Sequence, residues 1–381
     1  MNAADSQWMA RALHLAELGL FSTSPNPRVG CVLVKDGALI ASGWHERAGQ
    51  PHAEPLALRA AGDQARGATA YVTLEPCSHH GRTPPCADAL IAAGVARVVV
   101  AMQDPNPLVA GQGIARLRAA GIAVECGLME AEARLLNIGF VKRMTQGLPW
   151  VRSKIAASLD GRTALANGVS QWITGDAARR DVHVWRARSC AVMTGIDTVL
   201  EDDAQLSVRA IPTSRQPLRV VLDSHLRIPT SAKLLTPSPS GGGLGWGSVL
   251  IVAAVRDEEK IAALEKLGAE VVVLPDESGR VDVQATLHHL AATACNEVLV
   301  EAGSTLNGAL LKAGLVDELV LYFAPQLLGD MARGMAQLGE LISLDQRVEL
   351  QWQDVRQVGH DLRIIAQVNK PELSKPERGV V

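Results

Sequence analysis

The sequence predicts an α/β protein built from two domains, and three observations carry that reading. At 381 residues the chain is too long for one ordinary domain and suits two, each able to bury its own core. Short runs rich in Val, Ile and Leu alternate with segments of helical length, the pattern of a layered α/β fold. Gly147 and Pro149 interrupt that alternation and mark a joint. The expected division is a first domain over residues 1–146, a second over 147–370, and a charged, Pro-containing tail over 371–381 that is expected to be disordered.

In the first domain a helix over DSQWMARALHLAELG leads to strands in VGCVLVKDG and ALIASGWH, then a helix over AEPLALRAAG. A strand in ATAYVTLEP, a helix over CADALIAAG, a strand in ARVVVAMQ, a helix over GIARLRAAG and a strand in IAVECGL follow, and AEARLLNIGFVKRMTQGLPW closes the domain. The second domain opens at WVRSKIAASLDGRTA and continues through the strands SCAVMTG, PLRVVLDS, VLIVAAV, AEVVVLP, NEVLVEAG and ELVLYFAP. These are apolar enough to be buried on both faces, as in a parallel sheet. TPSPSGGGLGWGS, residues 236–248, interrupts the series and reads as a flexible surface loop.

Composition narrows the function. With 37 basic and 40 acidic residues the net charge is −3, without the basic stripe that a phosphate backbone requires, so nucleic acid is a poor partner. No apolar run is long enough to span a bilayer, and the first twenty residues lack the pattern of a signal peptide, so a cytoplasmic location is expected and no membrane partner. In that reducing compartment the six cysteines are not a disulfide framework. Cys31, Cys126, Cys190 and Cys295 stand alone near apolar runs and read as core residues. Cys77 and Cys86 come as a pair.

That pair lies in TLEPCSHHGRTPPC, and upstream PHAEP places His52 and Glu54 at the start of a helix. H-x-E followed by P-C and a second cysteine is the signature of zinc deaminases, although here eight residues separate the cysteines where two are usual. One imidazole and two thiolates, from His52, Cys77 and Cys86, fill three tetrahedral positions and leave a fourth for water. Glu54, two residues from His52, is placed to take a proton from that water and pass it to a leaving amine. Cys86 opens a helix, where thiolate is favoured. The alternative is a structural knuckle with His79 or His80 as fourth ligand, which has no use for Glu54.

HAE, TLEPCSHHGRTPPC and SPNPRVGCVLV together closely resemble one family, the bifunctional deaminase-reductases of riboflavin biosynthesis. The resemblance continues through SLDGRTA, SQWITG, TVLEDDAQLSVR and VEAGSTLNGALLKAGLVDEL and covers nearly the whole chain. It implies a cytidine-deaminase-like α/β/α domain that hydrolyses the 2-amino group of 2,5-diamino-6-(5-phosphoribosylamino)pyrimidin-4(3H)-one. A dihydrofolate-reductase-like α/β domain then uses NADPH to reduce the ribosyl group to ribityl, so Zn²⁺ and NADPH are the implied cofactors and a phosphorylated pyrimidine ribotide the implied substrate.

Carried over by motif, Asn26, His45, His79 and Arg82 line the deaminase pocket. In the reductase the resemblance implies Lys154, Asp202 and Glu301 as catalytic groups. Ser170, Arg186, Leu206, Arg209 and Glu301 are implied to hold substrate. Ala156, Trp172, Thr174, Thr198, Asp202, Ser224, Gly303, Ser304, Thr305 and Leu306 are implied to hold the cofactor. Small residues between the strand and the helix of VEAGSTLNGALL let backbone N–H groups approach a pyrophosphate. Each role has a plainer rival: a turn for Asn26, a strand end for His45, a core aromatic for Trp172, a surface charge for Arg186 or Arg209. Ala204 stands where the family usually has proline and Ser207 where threonine is common. Two broader rivals keep the deaminase with a non-catalytic second domain, or make the zinc a purely structural support. A homo-oligomer is expected, as for many enzymes with exposed α/β sheets.

Overall fold

The computed structural model describes residues 1–78, 84–236 and 247–369. His79, His80 and Arg82, most of the 236–248 loop and the 371–381 tail lie outside the described residues. The chain forms two compact units, one of Met1–Pro149 with Leu290–Asn296, the other of Trp150–His289 with the described residues from Glu297 onward. Among the described residues no helix is long and apolar enough to cross a membrane.

The first unit holds a five-stranded sheet in the order β2-β1-β3-β4-β5. Its strands are β1 (Gly30–Lys35), β2 (Ala38–Trp44), β3 (Thr69–Val72), β4 (Arg97–Val100) and β5 (Ala123–Cys126). β1 is antiparallel to both its neighbours, and β3, β4 and β5 run parallel. Alternation along β1 sends Cys31 and Leu33 into one core and Val32 and Val34 into another. The first core is closed by α2 (Ala53–Ala61), α3 (Cys86–Ala93) and α4 (Gln112–Ala119), the second by α1 (Ala3–Glu17), α5 (Glu130–Leu136) and α6 (Ile138–Gln146). The result is a three-layer α/β/α sandwich.

Two glycines set the packing distance of helices on this sheet. A Cβ at Gly30 would lie 2.0 Å from the Ala12 carbonyl oxygen, so α1 sits directly on β1. A Cβ at Gly43 would lie 2.6 Å from the Ala53 carbonyl oxygen, so the first turn of α2 lies against β2. Arg97 ties the layers together: its guanidinium meets Asp5 of α1 at 2.7 Å and Glu125 of β5 at 2.5 Å, and the Tyr71 hydroxyl also donates to Asp5 at 2.7 Å.

The second unit is built on a nine-stranded sheet, β11-β10-β9-β8-β12-β6-β13-β16-β15. Its parallel part comprises β6 (Trp150–Ser158), β8 (Ala191–Gly195), β9 (Leu218–Leu222), β10 (Val249–Ala253), β11 (Ala269–Val273), β12 (Glu297–Glu301) and β13 (Glu318–Ala324). An antiparallel hairpin of β15 (Leu350–Val358) and β16 (Asp361–Val368) extends the β13 side, and β7 (Arg162–Ala164) pairs with β14 (Arg333–Gly334) apart from it. The sequence strands up to ELVLYFAP are all present, and this hairpin is an addition to them. Helices α7 (Asp176–Arg188), α8 (Ile196–Asp202), α9 (Glu258–Glu265), α10 (Val283–Ala292) and α11 (Ser304–Lys312) complete the architecture. β8 runs into α8 and β12 into α11, so the first turns of both helices stand at the carboxyl edge of adjacent strands.

One buried arginine brackets the Pro/Ser/Gly loop. Arg219 on β9 donates to the carbonyls of Leu234 at 2.6 Å and Thr236 at 3.3 Å before the loop, and of Gly247 at 2.5 Å after it.

Candidate active sites

In the first unit the H-x-E and P-C segments meet. His52 is the N-cap of α2, Cys86 is the first residue of α3, and Cys77 lies five residues beyond the end of β3 at Val72. The strand is shorter than the sequence suggested because Thr73 turns back to Gly30: its N–H donates to the Gly30 carbonyl, and its hydroxyl accepts from the Gly30 N–H. His52 Nδ1 stands 3.3 Å from Cys86 Sγ and 3.7 Å from Cys77 Sγ, and all three ligand atoms lie within 4.8 Å of one another. A tetrahedral zinc with ordinary bond lengths would set N and S ligands about 3.6 Å apart and two sulfurs about 3.8 Å apart, so the donor set fits that ion. The Cys86 N–H also donates to Cys77 Sγ at 3.3 Å. Hydrogen bonding from Cys86 draws the Cys77 thiol well below its ordinary range, toward the thiolate that a metal requires.

Glu54 is buried beside this triad, with Oε2 lacking a hydrogen-bond partner among the described residues. Burial pushes its carboxyl up to about 7, against the pull of His52. His45 is fixed in one tautomer: Nδ1 faces the Pro51 carbonyl at 3.1 Å and so carries the proton, and Nε2 accepts from Asn26 Nδ2 at 3.1 Å. Burial lowers the basicity of this ring. Asn26 is also a turn residue, its N–H donating to the Thr23 carbonyl. These side chains share a cavity of about 280 Å³, lined by Asn26, His45, His52, Glu54 and Cys77. Its remaining polar lining, Glu75, Asp104 and Asn106, was not among the residues singled out from sequence, nor were Phe140 and Met144.

Of the other cysteines, Cys31, Cys190 and Cys295 are buried, whereas Cys126 is only partly so because it ends the edge strand β5.

In the second unit Lys154 of β6 pairs in register with Glu301 of β12. Lys154 and Ala156 are both half-buried while Ser153, Ile155 and Ala157 point into the core, so the two share one face of β6. Arg186 holds the Glu301 carboxylate and donates its Nη1 to the Ser207 carbonyl at 2.9 Å, so it is no surface charge. Burial pushes the Glu301 carboxyl up, but Arg186, Lys154 and His183 outweigh it and hold it at about 2. Burial draws the Lys154 ammonium down, opposed by Glu301 and Asp202. Arg209 is exposed, and its N–H donates to His183 Nδ1 at 3.2 Å. Burial with Arg186 and Arg209 lowers that imidazole to about 4. His183 is a member of this cluster that the sequence did not reveal.

Asp202 ends α8, one turn beyond Thr198 on the same face, and accepts from Gln171 Nε2 at 2.8 Å. Trp172 is 68% exposed, which excludes the core reading, and the Arg179 guanidinium lies 4.4 Å from its ring centre. Ser170 is half-buried and Thr174 buried, its carbonyl accepting from Arg179. The Leu206 side chain is packed in the main core, so only its backbone, at φ 54°, is available to a ligand. Gly303 is the N-cap of α11, and Ser304, Thr305 and Leu306 form its first turn. A Cβ at Gly303 would meet nothing within 4 Å, and no side chain caps the helix, so its first N–H groups fit an anionic ligand such as a dinucleotide pyrophosphate. Ser224 lies beyond the end of β9, two strands from β12, with its hydroxyl accepting from the Val281 N–H at 3.1 Å. The structure thus gathers Lys154, Arg186, Asp202, Arg209 and Glu301, and leaves Ser224 apart from them.

These two units define a zinc-dependent deaminase joined to a dihydrofolate-reductase-like reductase. Residues 2–102 match the cytidine and deoxycytidylate deaminase zinc-binding region, and residues 149–364 match the RibD C-terminal domain. The riboflavin biosynthesis protein RibD of Escherichia coli K12 is 50% identical over 370 residues, covering 94% of this chain and 98% of that protein. RibD of Acinetobacter baumannii superposes with a TM-score of 0.88 at 48% identity, over 96% of this chain and 99% of the other. A Thermotoga maritima protein described as a diaminohydroxyphosphoribosylaminopyrimidine deaminase/5-amino-6-(5-phosphoribosylamino)uracil reductase gives a TM-score of 0.83 at 33% identity, with the same coverage of 96% and 99%. The chain belongs to the RibD family, the bifunctional deaminase-reductases of riboflavin biosynthesis, which use zinc and NADPH.

Proposed function

We propose that His52, Cys77 and Cys86 hold the zinc and that Glu54 is the proton carrier of a hydrolytic deamination at C2 of 2,5-diamino-6-(5-phosphoribosylamino)pyrimidin-4(3H)-one. The observation that carries this is the convergence of the three ligand atoms, in one cavity, beside a buried carboxylate whose Oε2 has no hydrogen-bond partner among the described residues. Zinc in such a site supplies a water nucleophile at neutral pH. A carboxyl raised to about 7 is matched to accept the proton released when the C2–O bond forms. Glu54 then returns that proton to the leaving nitrogen as the C2–N bond breaks, so ammonia departs and the carboxylate is restored. Neutral His45, held by the Pro51 carbonyl, orients Asn26, whose amide oxygen is left to receive a pyrimidine N–H. His79 and Arg82 are proposed as further contacts to base and phosphate.

When bound in the second unit, NADPH would be the source of hydride for C1′ of the opened ribosylamine. Lys154, Ala156, Trp172, Thr174, Thr198, Asp202 and Ser224, with Gly303 to Leu306, are proposed to surround that cofactor. Ser170, Arg186, Arg209, Glu301 and the Leu206 backbone are proposed to hold the substrate. Lys154, in register with Glu301 and under the charge of both Glu301 and Asp202, is the group suited to deliver a proton to the ring oxygen released as the C1′–O bond opens. A homo-oligomer in the cytoplasm is proposed as the working form.

The test is ammonia release and NADPH oxidation by the zinc-loaded protein with the diamino ribotide, beside Glu54→Gln. Both signals from wild type, and neither from the variant, would support zinc-site deamination followed by reduction. NADPH oxidation by the variant would overturn that order. Ammonia without NADPH oxidation in wild type would confine the activity to the first unit.

A further inference from the structure

We infer that Glu75 is a positioning residue for deamination, fixing the cavity wall that Asp104, Asn106 and Val109 form. This rests on the reading that the cavity receives the pyrimidine. Glu75 lies two residues before Cys77, is 4% exposed and has no cation beside it among the described residues. Its charge is met entirely by backbone N–H groups. Oε1 accepts from Gly113 at 2.9 Å and Ile114 at 3.1 Å, and Oε2 from Gly111 at 2.9 Å and Asp104 at 3.1 Å. These bonds use the acceptor sites of an ionised carboxylate. A group so occupied has no lone pair to spend on substrate, which separates it from Glu54.

The four amides lie at the two ends of the segment 104–114, whose interior is closed by local turns. Asn106 N–H donates to Asp104 Oδ1 at 2.8 Å, and Leu108 N–H to Asn106 Oδ1 at 3.1 Å. Where this segment stands is therefore decided at Glu75. The Glu75 N–H in turn donates to the Met102 carbonyl at 3.0 Å, tying the residue to the chain between β4 and the segment. Independently, a Cβ at Gly113 would lie 1.9 Å from the Pro76 carbonyl oxygen, so the start of α4 rests on the residue next to the zinc ligand. Ligand strand and cavity wall move as one body.

Glu75→Gln replaces one acceptor oxygen by an NH₂ facing two N–H donors, in either orientation of the amide. The experiment is steady-state ammonia release with the diamino ribotide by zinc-loaded wild type, Glu75→Gln and Gly113→Ala. Wild-type release establishes the reaction before the variants are compared, and zinc per chain and NADPH oxidation with the deaminated ribotide are read on every protein. Gly113→Ala displaces the wall by steric contact and leaves the carboxylate in place. The expected result is a KM raised about tenfold or more in both variants, with a far smaller fall in kcat, full zinc and unaltered reduction. An unchanged KM in both would overturn the inference. So would a loss of kcat at constant KM, which would put Glu75 in the chemistry, or a loss of zinc matching the loss of rate, which would make it a support for the metal.

Discussion

Arg186 grips Glu301 with two parallel hydrogen bonds, Nε to Oε1 at 2.5 Å and Nη2 to Oε2 at 2.9 Å. A fork-to-carboxylate pair of this kind, with both side chains nearly buried, fixes orientation as well as charge. A substrate phosphate approaching Arg186 must share the guanidinium with Glu301. Exposed Arg209 is then the freer cation for the phosphate of the proposed substrate.

The pair makes the second unit sensitive to acid. The Glu301 carboxyl sits at about 2 in the fold and near 4.3 in an unfolded chain. Its stabilisation is complete above the unfolded value and is lost as pH falls from about 4.3 toward 2, on the order of 3 kcal/mol in all. Urea unfolding followed across that range would show it, and Glu301→Gln is expected to flatten this part of the profile while lowering stability at pH 7.

Metal removal is expected to separate the two activities. Chelation, or Cys86→Ser, should abolish ammonia release while NADPH oxidation with the deaminated ribotide persists. Parallel loss of both would indicate that zinc supports folding beyond its own unit.

Gly308 of α11 tests the cofactor site without touching a proposed ligand. A Cβ there would lie 2.3 Å from the Gln337 carbonyl oxygen, and the Gln337 N–H donates to the Ser304 carbonyl in the first turn of the same helix. Gly308→Ala should shift that contact and raise the KM for NADPH about tenfold, with ammonia release unchanged. Equal kinetics in both proteins would show that the first turn of α11 tolerates the displacement.

Asp5→Asn is expected to destabilise the first unit by about 2 kcal/mol, because Arg97 and Tyr71 would lose the buried anion they share. Thermal unfolding of the variant, with zinc held constant, measures this. The hydrogen bonds of Arg97, against the cost of burial, hold the Asp5 carboxyl well below its usual range. The contribution is therefore present at neutral pH and disappears only on acidification.

The cluster of His52, Cys77 and Cys86 with Glu54 beside it was legible in sequence because its pattern depends on local spacing: His52 and Glu54 are two apart, and Cys86 opens a helix. The cavity wall was not, because Asp104, Asn106, Phe140 and Met144 have no distinctive spacing and reach the site only through the fold. Glu75 lies within the TLEPC motif, where the sequence marks only the end of a strand, since four amides from residues 104–114 leave no trace in its neighbours. His183 was hidden for a related reason: on α7 it occupies a buried position where an apolar residue would look the same. The β15–β16 hairpin escaped because β15 is mostly exposed and polar, which weakens the alternation that marks a half-buried strand.

Arg219 joins Thr236 to Gly247 through a single buried side chain, so the geometry of both stems is set from beneath. Once the ends are pinned, the free energy of closing the chain between them rises only with the logarithm of its length. Position 219 is therefore where both anchors can be undone at once: Arg219→Met would release the Leu234, Thr236 and Gly247 carbonyls together, coupling two sequence-distant points to a single codon.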